Sequence, residues 1–388
     1  MREGLERLGP CDRTRLGPIF SGATTNPRLS LIVATYNRAL PLARLLDKLR
    51  VQTLDRVLWE LIVCVDGSTD RTMQMLEEEA ARNELPLRFF RQENAGQAAA
   101  RHQAIVIARA ERIVVIDDDM GLCPEFLQEH LKAAAVSPTY AVVLGKSEPP
   151  RTWKSGPLFE AVRDHSMLLQ IREMERGWAP SAFAVVTQNV SFSRELYLQI
   201  GGFDQSLRVH EDCELGMRLE RAGAKFVFHA AAHAIHHSDV GSYEKWERRQ
   251  FEYGRTAVRV WDKFGKDPML HPLRNLVNGN PANRAAVYLL SRNAMATRAG
   301  TGLLRAIGGV LKKVGWFWPA LATYKAINAI QYHSGVREAL GSWSALRESE
   351  KEFVKDSSRP LEPTRRGKTY FRAPMAGKSS IVGQFRPD

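Results

Sequence analysis

Ile113-Val114-Val115-Ile116-Asp117-Asp118-Asp119 is the stretch that decides the reading of this chain: four β-branched apolar residues run straight into three acids. Such a run favours a strand buried on both faces, ending at its carboxyl edge in adjacent carboxylates. Open α/β sheets bind ligands at that edge. Three neighbouring carboxylates repel one another unless a cation or a basic neighbour offsets them, so a divalent metal accounts for them economically. Magnesium or manganese held by one or two carboxylates and substrate phosphates would make the edge a nucleotide-handling site. Aspartate is also a good helix N-cap, so an acidic turn that only caps the next helix stands as the alternative.

Upstream of the triplet the pattern repeats. Leu29 to Thr35 (LSLIVAT) reads as a buried strand, and Pro41 to Leu49 carries Leu42, Leu45, Leu46 and Leu49 at helical spacing. A second strand spans Glu60 to Val65, followed by Asp66-Gly67-Ser68-Thr69-Asp70 and a helix over about 71–82. Leu87 to Arg91 is a third strand, Ala98 to Ala110 a helix, and Ile113 to Ile116 the fourth strand. This alternation predicts an α/β fold with a mainly parallel sheet and right-handed crossovers. No GxGxxG or GxxxxGK[ST] pattern occurs, which points away from dinucleotide-binding domains and P-loop enzymes. From Phe183 the texture turns to short segments: a strand over Phe183 to Thr187, a helix near Arg194 to Ile200, a helix from Glu211 to Ala222 and a strand from Lys225 to Ala230.

With 388 residues, the chain has room for one large domain and an appendage. Cys11, Cys64, Cys123 and Cys213 form no CxxC pair, which excludes a zinc ribbon pattern and suits a reducing cytosol. No apolar signal segment follows Met1. The net charge of +12 is unevenly placed: no Asp or Glu lies between Asp267 and Glu338, while nine Lys and Arg do. The domain expectation is a loose leader over 1–28, a catalytic domain over 29–265, a basic helical region over 266–347 and a disordered basic tail over 348–388.

Several motifs fall into one order: Thr35-Tyr36-Asn37-Arg38, Asp66 to Asp70, Asn94-Ala95-Gly96-Gln97 with Arg101, the aspartate triplet, Gln188-Asn189, Gly201-Gly202-Phe203-Asp204 and His210-Glu211-Asp212. Together, across roughly residues 29–265, they resemble family 2 of the inverting glycosyltransferases with the GT-A fold, a Rossmann-like nucleotide-diphospho-sugar transferase fold. The resemblance implies a nucleotide-sugar donor and a divalent cation, Mn2+ or Mg2+. Thr35 and Tyr36 would edge the base pocket, and Asp66 would accept from the pyrimidine ring N–H. Asn94, Arg101 and Asp118 would lie near the donor, where a guanidinium can meet phosphate; a solvated helical arginine is the alternative for Arg101. Asp117 and Asp119 match the DxD pair, the first near the ribose and the second on the metal; Met120 stands where many relatives carry another acid. Asp212 would be the general base and Glu211 would orient the site or touch acceptor, although acids in a first helical turn are also ordinary capping chemistry. Gln188-Asn189 would sit beside the donor sugar, the two glycines would permit a tight turn, and Trp178 is either a sugar platform or packing.

His229, His233, His236 and His237 cluster without a cysteine partner; His236 or His237 could join the aspartates, and His237 is taken as the metal ligand beside Asp119 and Asp117. Val314 to Tyr324 (VGWFWPALATY) is an apolar run of eleven residues between Lys313 and Lys325, too short for a bilayer, which needs about twenty. Basic and aromatic residues around it have the texture of a helix lying on anionic lipid, with a core helix as the alternative. No nucleic-acid motif accompanies the charge. The expectation is an inverting glycosyltransferase acting on a glycan or lipid-linked acceptor, cytoplasmic and peripheral at the inner face of the membrane. A silent nucleotide-sugar-binding scaffold is the alternative, and a nucleotidyltransferase the more distant one, since no Gly-rich basic loop follows the first strand.

Overall fold

β1 (Leu29–Thr35) is buried along nearly its whole length, and its neighbours β2 (Trp59–Asp66), β3 (Leu87–Gln92) and β4 (Arg112–Ile116) are similarly apolar. Successive strand residues point to opposite faces, so a run apolar at every position needs cover on both. In the computed structural model, which describes residues 26–238, 241–278, 280–356 and 371–372, it has that cover. Leu31, Val33, Leu61, Val63, Val114 and Ile116 pack on one side, against α1 (Ala39–Arg50), α2 (Thr72–Arg82) and α4 (Phe126–Ala135). Ile32, Ile62, Cys64, Ile113 and Val115 pack on the other, against α3 (Gln97–Val106), α6 (Arg194–Gln199) and α7 (Glu211–Arg221).

The sheet has eight strands in the order β3-β2-β1-β4-β8-β6-β9-β5, where β5 is Met120–Leu122, β6 is Ala141–Glu148, β8 is Asn189–Ser193 and β9 is Lys225–His236. β3, β2, β1 and β4 are parallel, β8 is antiparallel to β4 and β6, and β9 is parallel to β6. A two-residue strand, β7 (Ala179–Pro180), pairs with β10 (Phe371–Arg372). The stretch Phe183 to Thr187, read from the sequence as a strand, is instead a 3-10 turn at Ala182–Ala184 followed by extended chain. Ala184 and Val185 are buried there, where α7 packs on the segment: a Cβ at Gly216 would crowd the Ala182 carbonyl and Val185.

The chain divides into two compact units, one running through Pro150 and from Met167 to His237, the other holding Arg151–Ser166 and the helices after Ser238. The boundary between the units at 237/238 lies upstream of residue 265. In the second unit α8 (Tyr243–Lys263) crosses α12 (Phe317–Ala339) so closely that a Cβ at Gly254 would collide with the Tyr332 carbonyl, and one at Gly335 with the Phe251 carbonyl. α5 (Leu158–Glu175) gives Leu158, Ala161 and Val162 to that unit's core. Between α8 and α12 run α9 (Arg274–Val277), α10 (Pro281–Ser291) and α11 (Ala294–Lys313). A last helix, α13 (Trp343–Asp356), is ordered past residue 348, where the sequence expectation began its disordered tail. The rest of that tail and the leader before residue 26 lie outside the described residues, apart from β10.

Candidate active site

The parallel strands deliver their carboxyl ends to one edge. There Thr35 Oγ1 donates to Asp118 Oδ2 at 2.7 Å, joining the ends of β1 and β4. Arg38 donates to Asp118 Oδ1 at 2.8 Å and to Asp119 Oδ2 at 2.7 Å. Asp118 is thus a buried tie between two strand ends; burial, opposed by Arg38, pushes its carboxyl up to about 6. Tyr36 is half exposed at the same edge.

Asp66, at the end of β2, is buried and already engaged. Its Oδ1 accepts from Gln92 Nε2 at 2.7 Å and Ala95 N at 2.8 Å, and its Oδ2 accepts from Gly96 N at 2.9 Å. Asn94 Nδ2 donates to the Asp66 carbonyl at 3.0 Å. A carboxylate has about four acceptor positions, so Asp66 shapes the 94–96 loop and keeps capacity for one more donor. Gly96 has φ +94°, and a Cβ on it would collide with the Arg208 guanidinium.

Arg101 is buried, not solvated. It donates to Asp117 Oδ1 at 2.6 Å and to Glu211 Oε1 at 3.2 Å. Gln97 also donates to Glu211 Oε1. α3 therefore ties the aspartate triplet to the first turn of α7, where Glu211 is buried and Asp212 is partly exposed. A helix N-terminus stabilises carboxylates in its first turn. Gly201 and Gly202 have φ +83° and +67°. A Cβ at Gly202 would strike His102 and Tyr197, whose Nδ1 and Oη lie 2.9 Å apart. Tyr197 Oη also accepts from Phe203 N at 3.0 Å, so this turn is locked from inside.

Asp117, Asp119 and His236 each present a ligand atom within 4.8 Å of the others. His236 Nε2 is 3.1 Å from Asp119 Oδ1 and 3.9 Å from Asp117 Oδ2. Two carboxylate oxygens and an imidazole nitrogen converge there, so either a proton on Nε2 or a cation sits among them. Hard oxygen donors with one imidazole fit Mn2+ or Mg2+. The group takes His236 and not His237, which is exposed and whose ring lies beside Gly121. His229 and His233 pair separately with Glu129 and Glu148, at 2.8 and 3.0 Å.

The placing of His236 rests on a feature that motif reading missed. Gly145 pairs with His229 but the next residue, Lys146, pairs with His233, so residues 230–232 bulge out of β9. Asn189 Nδ2 donates to the Ala232 carbonyl at 3.0 Å and to the Lys146 carbonyl at 3.3 Å, pinning the bulge. Asn189 Oδ1 lies 2.9 Å from His130 Nε2, and His130 Nδ1 lies 3.0 Å from Ser191 Oγ. Burial lowers His130 to about 4, so the ring is neutral; Nε2 donates to the amide oxygen and Nδ1 accepts from Ser191. Asn189 is 1% exposed and so does not line a donor-sugar site. Gln188 donates to Met167 Sδ, and Trp178 packs with Met167, Ile171, Met174 and Phe228.

A buried acid at the second strand end, an acidic pair past the fourth and acids at a helix start therefore converge on one sheet edge. Residues 30–201 match the model of Glycosyl transferase family 2. Validoxylamine A glucosyltransferase of Streptomyces hygroscopicus subsp. jinggangensis is 30% identical over 229 residues, 52% of this chain and 54% of that protein. The putative glycosyltransferase EpsH of Bacillus subtilis is 36% identical over 108 residues, 28% of this chain and 30% of that one. The chain thus spans about half or less of these curated relatives. Among solved structures, the mannosyltransferase PcManGT of Pyrobaculum calidifontis has a TM-score of 0.54 at 20% identity, covering 86% of this chain and 92% of that one. S. aureus TarS 1–349 has a TM-score of 0.50 at 17% identity, covering 89% and 99%. These two share the GT-A fold with this chain.

Proposed function

We propose that the chain is a metal-dependent inverting glycosyltransferase. It moves a sugar from a nucleotide diphosphate donor, with UDP the expected nucleotide, to a hydroxyl of a glycan or lipid-linked glycan. The observation that carries this reading is Arg101. One buried guanidinium touches Asp117 of the metal group and Glu211 beside the proposed base, so donor and acceptor machinery share a single brace.

In this reading Thr35, Tyr36 and the remaining acceptor position of Asp66 receive the base, and Arg208, exposed beside Gly96, meets the diphosphate. A divalent ion held by Asp117, Asp119 and His236 supplies Lewis-acid charge for the departing diphosphate. Asp212 takes the proton from the acceptor hydroxyl as that oxygen attacks the anomeric carbon and the bond to the diphosphate breaks. Attack opposite the leaving group turns an α-linked donor into a β-glycoside. Support for the donor class comes from the family match and the glucosyltransferase relative; the fold neighbour PcManGT was solved with GDP-Man and Mn2+. The free thiols Cys64, Cys123 and Cys213 suit a reducing cytoplasm, and an acceptor on a lipid would bring the enzyme to the inner membrane face. Among the described residues no helix is long and apolar enough to cross a membrane.

The test is donor hydrolysis without acceptor, over UDP-, GDP- and dTDP-sugars, with Mn2+, Mg2+ or EDTA. Release of one nucleoside diphosphate that EDTA abolishes is the expected result. Turnover indifferent to EDTA would overturn the metal assignment.

A further inference from the structure

The apolar run Val314 to Tyr324 divides in two. Ala320, Leu321 and Tyr324 are buried in the core of the second unit, with Tyr243, Trp246 and Ile327. Trp316 and Trp318 are 61% and 53% exposed. They continue a stripe on the preceding helix α11: Leu303 is 64% exposed, Ile307 41%, Val310 61% and Val314 60%. Spacings of four, three and four residues put these four on one helical face, opposite Thr297, Thr301 and Gly308, which are buried. Helical faces of soluble proteins do not ordinarily leave such a row in water, and a contiguous exposed apolar patch marks a binding surface.

The charges around the stripe say what covers it. Lys313, exposed, borders the stripe at the end of the helix, and Lys154 Nζ stands 5.1 Å from the Trp318 ring centre; Lys312 is turned inward and donates to the Gly156 carbonyl at 2.6 Å. Arg305 is held by Glu244 at 3.3 Å and stacks on Tyr243, and so is already partnered. No acid interrupts the sequence from Asp267 to Glu338. An isologous pairing of two copies would set the same cationic rims against each other, which disfavours a second copy as occupant. Apolar side chains bordered by Lys313 and Lys154, with tryptophans at one end, match the boundary between acyl chains and anionic headgroups.

We propose that the α11 face and the two tryptophans seat on an anionic lipid surface. The inference deepens the membrane part of the function proposed above and is independent of the transfer chemistry.

The experiment is co-sedimentation of the full chain with vesicles of phosphatidylcholine containing phosphatidylglycerol, against vesicles of phosphatidylcholine alone. Wild type pellets with the anionic vesicles, and less so as salt rises. A double variant, Leu303→Glu with Val310→Glu, loses about ten-fold or more in partition. Both residues are exposed, so its melting temperature and its donor hydrolysis in solution stay near wild type. Should that variant misfold, Lys154→Glu with Lys313→Glu gives the same loss through charge alone. Brominated lipid quenches the fluorescence of wild type and much less that of Trp316→Ala. Equal partition of wild type and both variant pairs would overturn the inference. So would wild type that ignores vesicles, or that self-associates in a way Leu303→Glu with Val310→Glu abolishes. Failed donor hydrolysis alongside intact vesicle binding would sink the transferase reading and leave this one standing.

Discussion

The two halves of the sheet place chemistry by different means. In the parallel half, β3-β2-β1-β4, each candidate site residue sits where its own strand stops: Thr35 at the end of β1, Asp66 at the end of β2, Asp117 just past β4. Position follows from local sequence, because an apolar run and the polar residue that ends it are contiguous. In the other half, His236 reaches Asp119 only because three residues of β9 bulge out, and that bulge is held by Asn189 from β8 and His130 from α4. Position there follows from ties between segments 43 and 59 residues apart. The candidate metal group Asp117, Asp119 and His236 spans both halves, taking one pair of side chains from local order and one from long-range packing.

That contrast can be broken by substitution. The largest effect is expected from Asp119→Ala, which removes a proposed ligand outright and should bring Mn2+ binding below detection by titration calorimetry. Next is Glu60→Ala, at the opposite end of the parallel half. Glu60 is fully buried and takes bonds from Arg88 at 2.7 Å, Ser30 at 2.6 Å and Arg109 N at 2.7 Å. Its loss strands Arg88, and denaturant unfolding should report about 3–5 kcal/mol of destabilisation, with Mn2+ affinity of the folded protein unchanged. Asn189→Ala should do the reverse in kind: Mn2+ affinity falls by about 10–100-fold, while metal-free UDP affinity stays put. An Asn189 variant with wild-type metal affinity would show that the bulge holds itself and that the two halves do not differ as described.

The smallest effect is in pH. Burial lowers His102 and His130 to about 4 in the first unit, and His271 and His333 likewise in the second. All four stay neutral in the fold while the unfolded chain protonates them near 6.5. Stability is full above pH 6.5 and is lost as pH falls towards 4. Each histidine should cost about 1 kcal/mol between pH 6.5 and 5.5, and His102→Asn should flatten that slope by one histidine's share.

The same contrast governs what could be read in advance. β1 to β4 and the helices between them were legible because strands buried on both faces are apolar at every position, and helices covering them repeat at three and four. The triplet, Asp66 and Glu211-Asp212 were legible as strand and helix ends. Phe183 to Thr187 has the composition of a strand, yet α7 buries it as a turn; composition reports burial and not hydrogen-bond partners. The choice of His236 over His237 depends on a bulge with no local signal. Nor does sequence spacing separate Trp316 and Trp318, outside, from Leu321 and Tyr324, inside. The sole hint of the Asn189 tie was a polar residue heading the run Val190 to Phe192, which is what a buried amide with fixed partners looks like.

The most direct test of the account is to compare wild type with Asp212→Asn in metal-dependent transfer from the donor that the hydrolysis screen identifies, measuring nucleotide affinity alongside. Loss of the base should lower turnover by about 10²–10⁴-fold with nucleoside diphosphate binding nearly unchanged. Undiminished turnover in Asp212→Asn would contradict the proposed mechanism at its centre.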